Sequence, residues 1–102
     1  METLLFERDP GRPGLATLTL NRPGKLNAIN LGMWNQLAEK MAEISVDPGI
    51  RCVVLRGAGS DAFAAGGDLE EFVTGRATLG QALHYHGQVA RALQAIDNCP
   101  HP

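Results

Sequence analysis

An α/β fold is predicted for this 102-residue chain by three observations. Two short runs of alternating apolar and polar residues flank a proline- and glycine-rich turn, which predicts a β-hairpin near the start. A segment with apolar residues at three- and four-residue steps follows and predicts an amphipathic helix. A β-branched run then predicts a further strand, and helical periodicity resumes behind it.

The hairpin strands are "TLLFERD" (residues 3–9) and "LATLTLN" (residues 15–21). Between them "PGRPG" supplies the turn, because proline presets φ and glycine admits positive φ. In the second strand Ala16, Leu18 and Leu20 share one face, and Thr17 and Thr19 share the other. Asn30 is placed as the N-cap of "LGMWNQLAEKMAEIS". Trp34, Leu37, Ala38, Met41 and Ile44 form its apolar face, and Asn35, Gln36, Glu39, Lys40 and Glu43 fill the polar side. The apolar stripe reads as core and needs no cofactor to explain it.

"DPG" at residues 47–49 ends that helix, and "IRCVVL" (residues 50–55) reads as a strand buried on both faces. "DLEEFV" opens a short helix, with Asp68 as its cap and Glu71 at the spacing of a capping box. Glu70 and Glu71 read as a solvated first turn. The last helix is carried by "TLGQALHYHGQVARALQAIDN", with Leu79, Leu83, Val89, Ala92, Leu93 and Ile96 as its apolar face and Gly80 and Gly87 weakening it. "NCPHP" stops it. These elements leave a sheet with too few strands to cover itself, so the fold is expected to be incomplete, residues 1–102 forming the N-terminal part of a single domain.

Composition narrows the function classes. Hydrophobic residues make up 44% and charged residues 20%, ordinary for a globular protein. The formal net charge is −2 with no basic stripe, which argues against nucleic acid as a partner. No apolar stretch reaches the roughly 20 residues needed to cross a bilayer. "METLLFERDP" lacks the basic and apolar regions of a signal peptide, and the expected setting is the cytoplasm. Cys52 and Cys99 form neither a disulfide framework nor a paired metal site. His84 and His86 flank Tyr85 at i and i+2, on different sides of a helix, and cannot share a metal from one face. No metal site is expected.

The segment "FAAGGDLEEF" (residues 63–72) is the unusual one. A dinucleotide-binding fingerprint is suggested by Gly57, Gly59 and Ala62, but the following residues interrupt the helix it needs, and no second strand ending in an acid comes after. An anion-binding backbone site fits better. Ala64, Ala65, Gly66 and Gly67 carry almost no side chain, so a ligand can reach main-chain N–H groups at a helix entrance. A tight turn would equally explain two adjacent glycines.

Two motifs go further. "NRPGKLNAIN" (residues 21–30) and "VVLRGAGSDAFAAGGDLEEF" (residues 53–72), in that order with a helix between them, resemble the enoyl-CoA hydratase/isomerase (crotonase) family over nearly the whole chain. The resemblance implies a spiral of ββα units, assembled as homotrimers or hexamers, acting on acyl-CoA thioesters without a separate cofactor, since coenzyme A is part of the substrate. It implies stabilisation of a thioester oxyanion by two backbone N–H groups, the first of them on Gly67. It places Ala64, Ala65, Gly66, Asp68 and Leu69 near the CoA moiety, and Lys25, Leu26 and Ala28 on a second CoA-contacting loop. Lys25 would meet a CoA phosphate as a point charge. Hydration of a 2-enoyl-CoA is the default activity and double-bond isomerisation the nearest alternative. Hydrolysis, decarboxylation and a non-catalytic CoA-binding role are the other readings. The resemblance puts the second donor and the acid/base residues beyond Pro102, so this chain alone is expected to be inactive.

Overall fold

The turn between the first two strands is built by the residues that favour it. Asp9 Oδ1 accepts the Gly11 N–H at 2.8 Å and the Leu15 N–H reaches the Arg12 carbonyl at 2.8 Å. The chain therefore folds β1 (Leu4–Arg8) back antiparallel onto β2 (Leu15–Leu20), with Leu4 opposite Leu20 and Arg8 opposite Ala16. The computed structural model describes residues 2–74 and 78–102. After β2, helix α1 (Leu31–Ser45) crosses over to β3 (Cys52–Gly57), which pairs in parallel with β2. The sheet order is β1-β2-β3. A short helix α2 (Leu69–Thr74) and a long one, α3 (Leu79–Asp97), complete the chain, and α3 packs on α1. The expected α/β class holds, with β1, β2 and α1 forming one ββα unit.

Asn30 caps α1 as expected, with extended backbone and its side chain accepting the Met33 N–H at 2.8 Å. Behind the cap, Leu37, Ala38, Met41 and Ile44 are buried against Ala16 and Leu18 of β2. Met33 joins Leu20 and Ile29 in a second cluster, and half-buried Trp34 lies against both. Asn35, assigned to the polar side, is half-buried. Replacing Asn30 with alanine removes one N-cap bond and is expected to cost about 1 kcal/mol, measured as a fall in the denaturant midpoint at constant m-value. At the other end of α1, His101 Nε2 lies 3.0 Å from the Ile44 carbonyl, a last-turn acceptor that also receives the Asp47 N–H at 3.1 Å.

Two expectations change. β3 begins at Cys52 and is not buried on both faces: Val53 and Leu55 meet the core, while Val54 is 40% exposed and Arg56 projects outward. The reason is that α1 and α3 cover only one face of it. Helix α3 is continuous through Gly80 and Gly87, but its buried face is also different. Tyr85 and Ala92 are buried, with Ala95 and Ile96 packed against the core cluster that holds Ala92, whereas Leu79, Leu83 and Leu93 are exposed. Small residues allow α3 to approach α1 closely, and the larger leucines fall outside that contact. His84 and His86 are both exposed. Among the described residues no helix is long and apolar enough to cross a membrane.

Candidate functional site

The site is built where two loops meet. The first, residues 21–30, opens with a 3₁₀ turn at Pro23–Lys25 and then places Leu26 and Asn27 in left-handed conformations, φ 52° and 57°. Left-handed backbone is uncommon for leucine and best tolerated by asparagine. Asn27 also makes every bond its amide can use in this place. It is 1% exposed; its Oδ1 accepts the Arg22 N–H at 3.0 Å, and its Nδ2 donates to the Ala58 and Ala62 carbonyls at 3.0 and 2.9 Å. The second loop, residues 58–68, is thereby stapled to the first. Gly57 admits this approach, because the carbonyl oxygens of residues 62 and 63 pass where any side chain would sit.

Past Ala64, which packs against the cluster of Leu20, Ile29 and Met33, the loop turns at Gly66 with φ 94°. Gly67 then forms a single parallel β-bridge with Ile29. Ile29 donates to the Gly66 carbonyl at 2.8 Å, and its own carbonyl accepts the Asp68 N–H at 3.1 Å. In a trans peptide the carbonyl of one residue and the N–H of the next point in opposite directions. The Gly67 N–H therefore points away from Ile29, and it has no hydrogen-bond partner among the described residues. Gly67 is exposed. Next to it lies a cavity of about 220 Å³ lined by Lys25, Ala28, Ala65, Gly67, Asp68, Leu69 and Glu70.

Six of the nine residues singled out from the sequence thus line one cavity. The other three do not line it. Ala64 faces the core, Gly66 makes the turn and receives Ile29, and Leu26 stands half exposed in a left-handed conformation. A larger recess of about 420 Å³ lies between β1 and α1, lined by charged and apolar side chains and remote from the glycine loop.

Among the acidic residues Asp68 and Glu70 follow expectation, and Glu71 does not. Asp68 does cap α2, accepting the Glu70 N–H at 2.9 Å, but its other oxygen is ion-paired to Arg22 Nη1 at 2.9 Å. The Arg22 hydrogen bond holds the Asp68 carboxyl below the usual carboxylate range, outweighing burial, and the Glu70 and Glu71 N–H groups add to this. Asp68 is therefore a charged structural group and a weak proton acceptor near neutral pH. Glu71 does not close a capping box, because the Asp68 N–H is already taken by Ile29. Its Oε1 accepts the Leu31 N–H in the first turn of α1 at 2.7 Å and the Tyr85 hydroxyl at 3.2 Å. It joins three helices and is half-buried, in place of the solvated first turn expected. Glu70 is exposed and pairs with Lys25 at 3.3 Å. With its N-terminus already capped by Asp68 and only six residues long, α2 contributes little dipole of its own. The Gly67 N–H is a donor left free at this entrance among the described residues.

Sequence reasoning missed Arg22 and Asn27. The asparagine before a small residue in a proline-glycine loop is the kind of signal that marks a left-handed position, but its partners lie 31 and 35 residues away. Nothing local predicts that Arg22 reaches Asp68, 46 residues on.

Comparison with known proteins converges on one family. A family model described as enoyl-CoA hydratase/isomerase matches residues 15–102. The chain is 43% identical over 77 residues to a mevalonyl-coenzyme A hydratase of Beauveria bassiana, covering 76% of this chain and 27% of that one. It is 36% identical over 102 residues to a mitochondrial 3-hydroxyisobutyryl-CoA hydrolase of Rattus norvegicus, covering 97% of this chain and 25% of the relative. Among solved structures, an enoyl-CoA hydratase/carnithine racemase from Magnetospirillum magneticum superposes with a TM-score of 0.92 at 46% identity, over 100% of this chain and 37% of its own. The chain thus spans about a quarter of the length of these two curated relatives.

Proposed function

The chain belongs to the enoyl-CoA hydratase/isomerase family, and from that premise we propose that its two-loop cavity binds an acyl-CoA thioester and polarises the thioester carbonyl with the Gly67 N–H. The observation that carries this reading is an exposed backbone donor with no partner among the described residues, aimed by its neighbours' hydrogen bonds and preceded by residues too small to obstruct it. A donor held in place before the reaction costs no reorganisation when charge develops on the oxygen, which is why such groups act chiefly on the barrier.

Around that donor each predicted contact has a role. Ala64, Ala65 and Gly66 let the pantetheine pass close to the backbone, and Leu69, 80% exposed, offers it apolar surface. Ala28 lines the cavity from the first loop, and Leu26, half exposed beside it, is the further contact proposed on that loop. Lys25 exchanges Glu70 for a CoA phosphate, which is favourable because an exposed ion pair of this kind is worth under about 1 kcal/mol. Asp68 contributes by holding the loop. Hydration of a 2-enoyl-CoA is the preferred reaction and isomerisation the alternative; proton transfer is not assigned to Asp68 or Glu71, whose carboxylates are engaged. Coenzyme A enters as substrate, with no separate cofactor, in a cytoplasmic homotrimer or hexamer.

Titration of the chain with crotonyl-CoA tests the binding half by calorimetry. A dissociation constant within about 1 μM–1 mM, the range of ordinary enzyme substrates, and weaker binding after Lys25→Glu are expected. Folded protein with no heat at millimolar crotonyl-CoA would refute it.

A further inference from the structure

Arg22 holds both sides of the bridge that aims the candidate donor. Its Nη1 donates to the Ala28 carbonyl at 2.8 Å and to Asp68 Oδ2 at 2.9 Å. Ala28 immediately precedes Ile29, and Asp68 immediately follows Gly67. One guanidinium nitrogen therefore ties together the residues adjoining the two members of the Ile29–Gly67 bridge. The bridge has only two backbone hydrogen bonds, from the Ile29 N–H to Gly66 and from the Asp68 N–H to Ile29, and no neighbouring ladder to reinforce it. An isolated pair of this kind needs support from elsewhere to keep one register. Arg22 also fits the task by its own placement. Its side chain is 17% exposed and that of Asp68 11%, so the pair is shielded from competing water and salt. Its backbone N–H is held by Asn27 and its carbonyl by Lys25 and Asn27, which fixes the base of the side chain.

We propose that Arg22 is a positioning residue: through Asp68 and Ala28 it fixes the direction of the Gly67 N–H, and so controls polarisation of the bound thioester without touching it. This rests on the reading of Gly67 as the oxyanion donor. A planar guanidinium delivers such a bridge in a fixed geometry, whereas an ammonium at the end of a flexible stem does not. The position of the donor, more than the affinity of the site, is what Arg22 decides. Misplacing a catalytic group by about 1 Å can cost on the order of 100-fold in rate.

The test compares wild type, Arg22→Lys, Arg22→Gln and Asp68→Asn in the complete gene product, with folding checked by thermal melts. Asparagine at position 68 keeps one acceptor oxygen for the helix cap and turns an amide NH₂, itself a donor, towards Arg22, so it breaks the pair from the other side and serves if the Arg22 variants fail to fold. Crotonyl-CoA carrying ¹³C at the thioester carbonyl reports polarisation as a downshift of its infrared stretch on binding. In the folded variants the downshift is expected to shrink by about half or more and kcat to fall about 10–100-fold, with the dissociation constant within about threefold of wild type. A full downshift with unchanged kcat in folded Arg22 variants would overturn the positioning role while leaving Gly67 as donor. Affinity and downshift lost in parallel would also overturn it, since that is the signature of a disordered site. If wild type binds crotonyl-CoA with no downshift, the assignment of Gly67 fails and this proposal with it.

Discussion

Replacing Gly67 with proline is expected to lower turnover of an enoyl-CoA by the complete gene product about 10²–10³-fold, the effect of deleting one oxyanion donor. Proline removes the Gly67 N–H, which has no hydrogen-bond partner among the described residues. The Ile29–Gly67 bridge does not use it, since its bonds run through the Gly66 carbonyl and the Asp68 N–H. Proline is accepted in such positions because it forfeits no ladder hydrogen bond. Gly66, with φ 94°, must still accommodate a proline ring behind it, so the variant's melt is measured first. Gly67→Ala is the control: φ at Gly67 is not positive, alanine keeps the N–H, and far less activity should be lost. Steady-state kcat for both variants decides. A folded proline variant that turns over at the alanine variant's rate removes Gly67 from the mechanism.

The largest effect on stability is expected at Gly57→Ala. A Cβ there would lie 2.3 Å from the Phe63 carbonyl oxygen, 2.5 Å from that of Ala62 and 2.8 Å from Asn27 Nδ2. Two of these are backbone atoms and the third belongs to a buried, fully engaged amide, so none can yield by a simple rotation. The second loop must move outward, and Asn27 then loses its bond to Ala62. Overpacking usually costs about 1–3 kcal/mol, and a buried amide left unpaired adds about 1–3 kcal/mol. A total near 3 kcal/mol lowers Tm by roughly 12–24 °C in a domain of this size. Thermal and denaturant unfolding measure it. A melt within a few degrees of wild type would show that the approach of residues 62–63 to Gly57 is not required by the fold.

These two glycines illustrate why parts of the site were legible from sequence. "AAGGD" announces a backbone that something must approach, because four residues in succession forgo side chains. Which neighbour approaches each glycine was not legible. Gly57 is filled by the chain's own carbonyls, whereas Gly67 is open to solvent. The same division separates Asp68 from Glu71. Both read as helix-start acids, yet one pairs with Arg22 and the other bridges α1 to Tyr85 on α3.

The sequence by itself determined the hairpin, the Asn30 cap, the buried face of α1 and the loop that carries Gly67. All of these follow from interactions within a few residues: alternation, helical spacing, capping and backbone freedom. Only the tertiary structure decided that one face of β3 is covered and the other left open, that α3 buries Tyr85 and exposes Leu79, Leu83 and Leu93, and that Arg22, Asn27 and Asp68 hold two loops in register. Helical periodicity leaves several apolar stripes open on α3, and the partner helix selects among them. The loop contacts join residues 31 to 46 positions apart, and no local preference encodes such a pairing. The donor could be read from the chain; its aim comes from the fold.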